Sequence, residues 1–301
     1  RIEMSTGGRF RAGPVWLVGA AICFALMGIT VKQAVTAGGV NIFQLGLIRF
    51  LTAAIGVTLP ALFGCWSLRV INRSCFLLRG FFGAAGNFLM FTVIMLVGLG
   101  RGSVMMQLMG IFGALSALFL LGEAMSLRLL TAVLAASAGV VLCAGGRPSL
   151  YEWLAVGGAL CSGLALTFIR KLNRTDNLHV VFFSQSVCGL VLMAPTVCFA
   201  GFPATRTAWA AGLLLTFFDT AGQYFMTHGM TRTPVAAAGS LLMLSPVVSL
   251  AVGLFAFGET LDFLQVSGCA LILTGGMLSV TGASAPARSG SADRGSGASS
   301  A

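Results

Sequence analysis

Ten times along this chain, about twenty residues pass in which apolar side chains dominate and charges are few. In approximate bounds the runs are 14–36, 43–64, 80–98, 102–122, 127–145, 151–171, 178–200, 207–229, 234–257 and 262–282. A helix rises about 1.5 Å per residue, so ~20 residues cross the ~30 Å of hydrocarbon in a bilayer. With no water there to bond the backbone, a run of this length satisfies its own N–H and C=O groups only as a helix. Composition agrees, because 57% of the 301 residues are hydrophobic and 9% charged, too little polar surface to cover a soluble core. The connections are short and carry turn residues, as at 37–41 (AGGVN), 98–102 (GLGRG) and 146–149 (GRPS). Residues 1–13 read as a cytoplasmic N-terminal tail, and the first apolar run as a span rather than a cleaved leader. Residues 283–301, rich in Ser, Gly and Ala, read as a disordered C-terminal tail.

The net charge of +10 would point to nucleic acid if it formed one patch. It is dispersed between apolar runs instead, so the lipid bilayer is the expected partner and nucleic acid is not. With the N-terminus inside, thirteen Lys and Arg fall on the cytoplasmic side, Arg79 counted among them. The outer side holds four, Lys32, Arg101, Arg147 and Arg206, so both termini are expected in the cytoplasm of a bacterial inner membrane. Eight cysteines show no CxxC and no His at ligand spacing, so neither disulfide, metal nor cofactor is expected.

The chain also matches itself. A shift of 136 residues lays Asn41 on Asn177, Gly98 on Pro234, Gly122–Glu123 on Gly258–Glu259 and Gly139 on Gly275. The first and sixth runs match at 138, with Gly19, Cys23 and Lys32 on Gly157, Cys161 and Arg170. Each unit, 14–145 and 151–282, has five spans; an odd number forces the second to enter from the opposite side. The expected fold is an all-α membrane protein, ten transmembrane helices as two inverted five-helix repeats. Such repeats place a binding site near the midplane, between the halves.

Candidate site residues follow from polar groups inside the spans. Asp219, Gly222, Gln223 and Met226 fall at i, i+3, i+4 and i+7, on one helix face. A charge there costs ~2.5–3.5 kcal/mol on insertion scales, so an intramembrane acid is a functional candidate by default. At the repeat offset these positions fall on Gly83, Gly86, Asn87 and Met90, and both halves present a small-plus-amide face. The glycines suit close helix packing as well as cavity lining. Arg49 has Gln185 as its repeat equivalent; it either snorkels outward, binds an anion or pairs with Asp219. Gln107, Ser240 and Ser245 are further candidates, suited equally to lining a cavity and to bonding helix to helix, and Pro246 interrupts the ninth run. The proposed binding set is thus Asn87, Asp219, Gln223, Gln107, Arg49 and Ser240, with Asp219 also the group a proton-coupled carrier would load and unload. Glu123 and Glu259 are expected to be structural, each capping the helix that follows it.

Ten spans, a five-plus-five duplication and Gly-Glu closing the fourth and ninth helices resemble the EamA-type branch of the drug/metabolite transporter superfamily. The likeness is carried by residues 79–123 and 227–261 and extends over 14–282. Its members carry Ser/Thr-Pro before Gly-Glu in both halves; Ser245-Pro246 keeps it here, whereas Met109-Gly110 stands in the first half. The resemblance implies alternating access around a central cavity. It also implies a small polar or amphipathic substrate, amino-acid-like, vitamin-like or nucleoside-derived. A homodimer is the one further partner admitted. Two rival readings lack their motifs: a channel would need a selectivity ring or loop. An intramembrane enzyme would need a nucleophile–base or metal constellation, but His179 and His228 stand apart and no HExxH occurs. No GxxxxGK[ST] is present, so ATP is not expected to drive the chain from within.

Overall fold

The computed structural model describes residues 7–121, 127–143, 149–230 and 241–282, all of it helices and their connections. In chain order the helices are α1 (Gly7–Thr36), α2 (Ile42–Leu62), α3 (Arg73–Val97), α4 (Leu99–Met105), α5 (Leu108–Leu121) and α6 (Leu127–Cys143). The second half follows with α7 (Leu150–Leu172), α8 (Leu178–Met193), α9 (Val197–Ala200), α10 (Arg206–Met230), α11 (Leu244–Ala256) and α12 (Phe263–Gly282). α4 and α5 share one span, as do α8 and α9, and among the described residues six segments are long and apolar enough to cross a bilayer outright. α10 is 25 residues long, its hydropathy diluted by Asp219, Thr220, Gln223 and Tyr224. The C-terminal tail and Glu123 lie outside the described residues.

The helix contacts come in mirrored pairs. α1 packs on α10 and α3 on α7; since α1 repeats as α7 and α3 as α10, these are one contact made twice. α3 against α8 is answered by α10 against α2, while α2 with α8 and α6 with α12 pair with their own equivalents across the axis. Repeat-related glycines make the mirrored contacts: a Cβ on Gly86 would overlap Ser162 Oγ of α7, and one on Gly222 would come 2.8 Å from Phe24 of α1. Those two glycines are therefore packing positions, where small residues let backbones approach. The outer shell is apolar, with Phe119, Phe255 and Phe263 more than four-fifths exposed, as a bilayer solvent allows.

Three features differ from the sequence reading. α1 begins at Gly7, within the expected tail, because hydropathy marks where a membrane span starts and not where helical hydrogen bonding does. α3 begins at Arg73, seven residues before its apolar run; Asn72 caps it by accepting from the Cys75 N–H at 3.1 Å, so Arg79 belongs to a helix. Finally, the fourth span breaks at Met106–Gln107, where i→i+3 bonds (Gln107 N to Val104 O, Met109 N to Met106 O, both 3.0 Å) interrupt the α ladder. In the second half the turn falls at Met243, the repeat equivalent of Gln107. The break is thus made in both halves, with proline nearby in only one.

Glu259 is structural as expected but caps a different helix. Its carboxylate accepts from the N–H groups of Leu99 at 2.5 Å and Gly100 at 3.0 Å, at the start of α4 in the other half, and Lys32 of α1 stands 3.3 Å away. Gly258, with φ +62°, turns the chain back so that the carboxylate reaches across. The following helix, α12, is preceded instead by Asp262, whose N–H donates to Gln265.

Candidate functional site

Asp219 is the fourteenth of the 25 residues of α10, half-way through its span, and is buried. Arg49 of α2 donates from Nη2 to its Oδ2 at 2.6 Å, and Gln223, one turn along α10, donates from Nε2 to the same oxygen at 2.9 Å. The Arg49 guanidinium lies 4.7 Å from the Phe50 ring and 5.5 Å from the Phe91 ring, so aromatic faces share its charge. Of the roles open to Arg49, snorkelling is excluded: the side chain is 2% exposed and points into the bundle. Of the two remaining roles, the structure has Arg49 paired with Asp219.

The network continues into the other repeat face. With its amide oriented as its neighbours dictate, the Asn87 oxygen accepts from Arg49 Nη2 at 2.5 Å, Arg49 Nη1 at 3.1 Å and Gln185 Nε2 at 2.5 Å. Gln185 also donates to the Gly83 carbonyl at 3.3 Å, and its Oε1 accepts from Arg79 Nη2 at 2.8 Å. Gln223, Asp219, Arg49, Asn87, Gln185 and Arg79 therefore form one hydrogen-bonded chain. Two repeat-related pairs, Asn87 with Gln223 and Arg49 with Gln185, sit within it.

Beside this chain lies a cavity of about 180 Å³. Asn87, Gln107, Asp219 and Gln223 line it, as do Gln185, Arg79 and Gly83. Arg49 stands behind Asp219, outside the lining, and Ser240 lies outside the described residues. Ser245 reaches the wall, together with Ser103, Ser162 and Ser249. The apolar part of the wall includes Ala165, Leu166, Ile169, Leu242 and Phe24, and five methionines, Met27, Met90, Met106, Met109 and Met226, flexible side chains that adapt to irregular ligands. Of the three glycines read as packing or lining, only Gly83 faces the cavity, and a Cβ there would overlap Arg79 Nη1. Sequence reasoning missed Arg79, counting it with the cytoplasmic loops; the Asn72 cap was the available signal.

A second, more open hollow, about 320 Å³, is lined by Lys32, Arg101, Glu259 and Gln265 at the α4 end of the bundle. Its charges are spent on structure: Lys32 and α4 hold Glu259, while Arg101 meets Glu152 at 3.5 Å. Glu152 in turn closes a capping box with Ser149 at the start of α7.

Comparison with known proteins places these features in context. The model of the EamA-like transporter family matches the chain twice, over residues 11–145 and 149–281. A solved crystal structure is similar in fold, at 18% identity and a TM-score of 0.59, covering 90% of this chain and 98% of its own. No curated protein matches the chain.

Proposed function

The chain belongs to the EamA-like transporter family, and from that premise we propose that it is a secondary active transporter of a small polar or amphipathic metabolite. It works by alternating access across a bacterial inner membrane, both termini cytoplasmic. The observation that carries this reading is the polar chain from Gln223 to Arg79. It crosses the middle of the bundle beside a cavity whose walls come from both repeats. Buried polar networks are costly unless fully engaged, so a half-polar cavity at mid-span is a place for a ligand to complete them. Asn87, Gln107 and Gln223 are the proposed contacts. Arg49 sets the charge behind Asp219, and Ser240 is retained from the sequence as a polar group of the ninth run.

Asp219 is the proposed proton-coupling group. Its partner is Arg49, so loading a proton on Asp219 and loosening Arg49 are one event, which links the gradient to the shape of the site. Reconstitution in liposomes tests this. Asn87→Leu and Gln223→Leu should each reduce transport at least about tenfold, the equivalent of a net hydrogen bond in the ~1–1.5 kcal/mol range, with insertion unchanged. Asp219→Asn should keep exchange but lose accumulation driven by a pH gradient. Wild-type transport by all three variants would remove the cavity from the mechanism.

A further inference from the structure

Two guanidinium groups and one carboxylate occupy the middle of this bundle, and the carboxylate is taken. Arg49 holds Asp219 at 2.6 Å. Arg79, in the second turn of α3, is 4% exposed and lines the cavity, yet the one hydrogen bond it makes among the described residues is to the Gln185 amide. Its Nε is buried without a partner. The other described carboxylates are engaged or distant: Glu152 with Arg101, Glu259 with Lys32, Asp176 with the start of α3, and Asp262 exposed ahead of α12. No ion pair is made to Arg79 among the described residues. Facing it from neighbouring helices are Gln185 and Cys188 on α8 and, farther off, the Asp219 carboxylate, which attracts Arg79 more than the adjacent Arg49 repels it but is itself ion-paired to Arg49. Gly83, one turn on, leaves the space in which the guanidinium lies; Gln185 fixes it from the other side.

A buried guanidinium without an anion is a large unfavourable term, and a planar fork of N–H donors matches a carboxylate or phosphate. We propose that Arg79 is the anchor for the anionic group, carboxylate or phosphate, of a small amphipathic substrate. The apolar part of that substrate lies against Phe24 and the cavity methionines. The proposal rests on the transporter reading and adds the charge of the cargo: one negative group completes the balance that Asp219 leaves open. The orientation of the substrate follows, its anion at Arg79 and Gln185 and its apolar body towards Met106, Met109 and Phe24.

Thermal unfolding of the purified full-length protein tests it with matched probes: phenylacetate, hexanoate and phenyl phosphate against phenylacetamide, hexanamide, phenol and cationic phenethylamine. A ligand that binds the folded state raises the transition by mass action. The anionic probes should bind at least about tenfold more tightly than their neutral counterparts, as a charge-assisted bond requires. That preference should fall in Arg79→Gln, persist in part in Arg79→Lys, and weaken in Gly83→Ala, which keeps the charge but displaces the fork. The wild-type comparison stands alone if a variant fails to fold. Stabilisation by neutral or cationic probes as strong as by anions would overturn the anion assignment and leave the transporter reading intact. No stabilisation by any probe at millimolar concentration would overturn both. Carboxylate and phosphate arms together say which anion the fork prefers.

Discussion

Arg49 and Asp219 show how one residue pair turns a costly choice into a fixed one. Each charge alone in a span costs ~2.5–3.5 kcal/mol or more, while the pair at 2.6 Å cancels much of it. Removing one partner leaves the other buried and uncompensated. Arg49→Met is therefore expected to destabilise by about 3–5 kcal/mol, and Arg49→Met combined with Asp219→Leu by much less. Chemical unfolding in detergent measures both; additive losses would mean the pair contributes little as a pair. A second carboxylate acts outside the membrane. Asp176, between α7 and α8, is opposed by desolvation, but hydrogen bonds from the Ile71 N–H at 2.7 Å, the Thr175 hydroxyl at 2.6 Å and the Asn72 N–H at 3.2 Å outweigh it and hold its pKa below the ordinary carboxylate range. A depressed folded pKa stabilises the fold above the unfolded value, about 3.9, and the gain is lost as pH falls through the folded one. The stability gap between wild type and Asp176→Asn should thus be full at pH 7 and close below about pH 4. A gap that stays constant down to pH 3 would contradict this. Asp219, Asn87 and Gln223 were legible in the sequence because polar residues in a span stand out and the repeat offset paired them. Arg79 was not legible, since seven residues at the start of α3 carry two further polar groups and read as loop.

At the level of elements, apolar length located most described span ends to within a few residues, because the bilayer sets one length for all of them, but missed the first seven residues of α1 and of α3. It was blind to how they are joined end to end. The turn at Met106–Gln107 carries no proline and no glycine, and becomes visible only when its equivalent at Met243 is seen to turn as well. Its consequence is to bring Gln107 to the cavity wall. The capping of α4 was equally hidden, since the cap comes from Glu259, 160 residues away. Glu259 ties α11, α1 and α4 together, with α4 and α11 so close that a Cβ on Gly100 would meet Leu250 at 2.8 Å. Glu259→Ala removes two bonds to backbone N–H groups and an ion pair, and should cost about 1–2 kcal/mol, the range for a lost helix cap. It should also loosen this end of the bundle, so that a cysteine at Ser103, beneath the cap, reacts faster with a thiol reagent. Unchanged stability and unchanged reactivity together would make Glu259 a bystander.

Across the whole molecule, the side of the membrane on which each connection lies can be read twice, once from charge and once from contact. Moving Arg79 out of the loops leaves twelve basic residues on the expected cytoplasmic side against four. Contacts give a separate answer about which connections share a side. Asp176, after α7, binds Ile71 and Asn72 before α3, and Trp66 stacks on His179 with centroids 4.2 Å apart. On the opposite side Glu259 joins Leu99 and Lys32, Arg101 meets Glu152, and Gln44 donates to the Ala200 carbonyl. None of these contacts joins connections that five spans per repeat would set on opposite sides. Inversion therefore rests on geometry, and only the absolute direction rests on charge. Impermeant thiol labelling separates the two. In a background lacking the eight native cysteines, Ser149→Cys and Ala204→Cys should label in intact cells. Ser67→Cys and Asn173→Cys, equally exposed, should label only after permeabilisation. If all four respond the other way round, the repeats stand and the direction assigned from Lys and Arg is reversed. If Ser67→Cys and Ser149→Cys label from the same side, the first repeat does not cross an odd number of times between them and the inverted relation fails. The cavity would then have no symmetry axis to sit on.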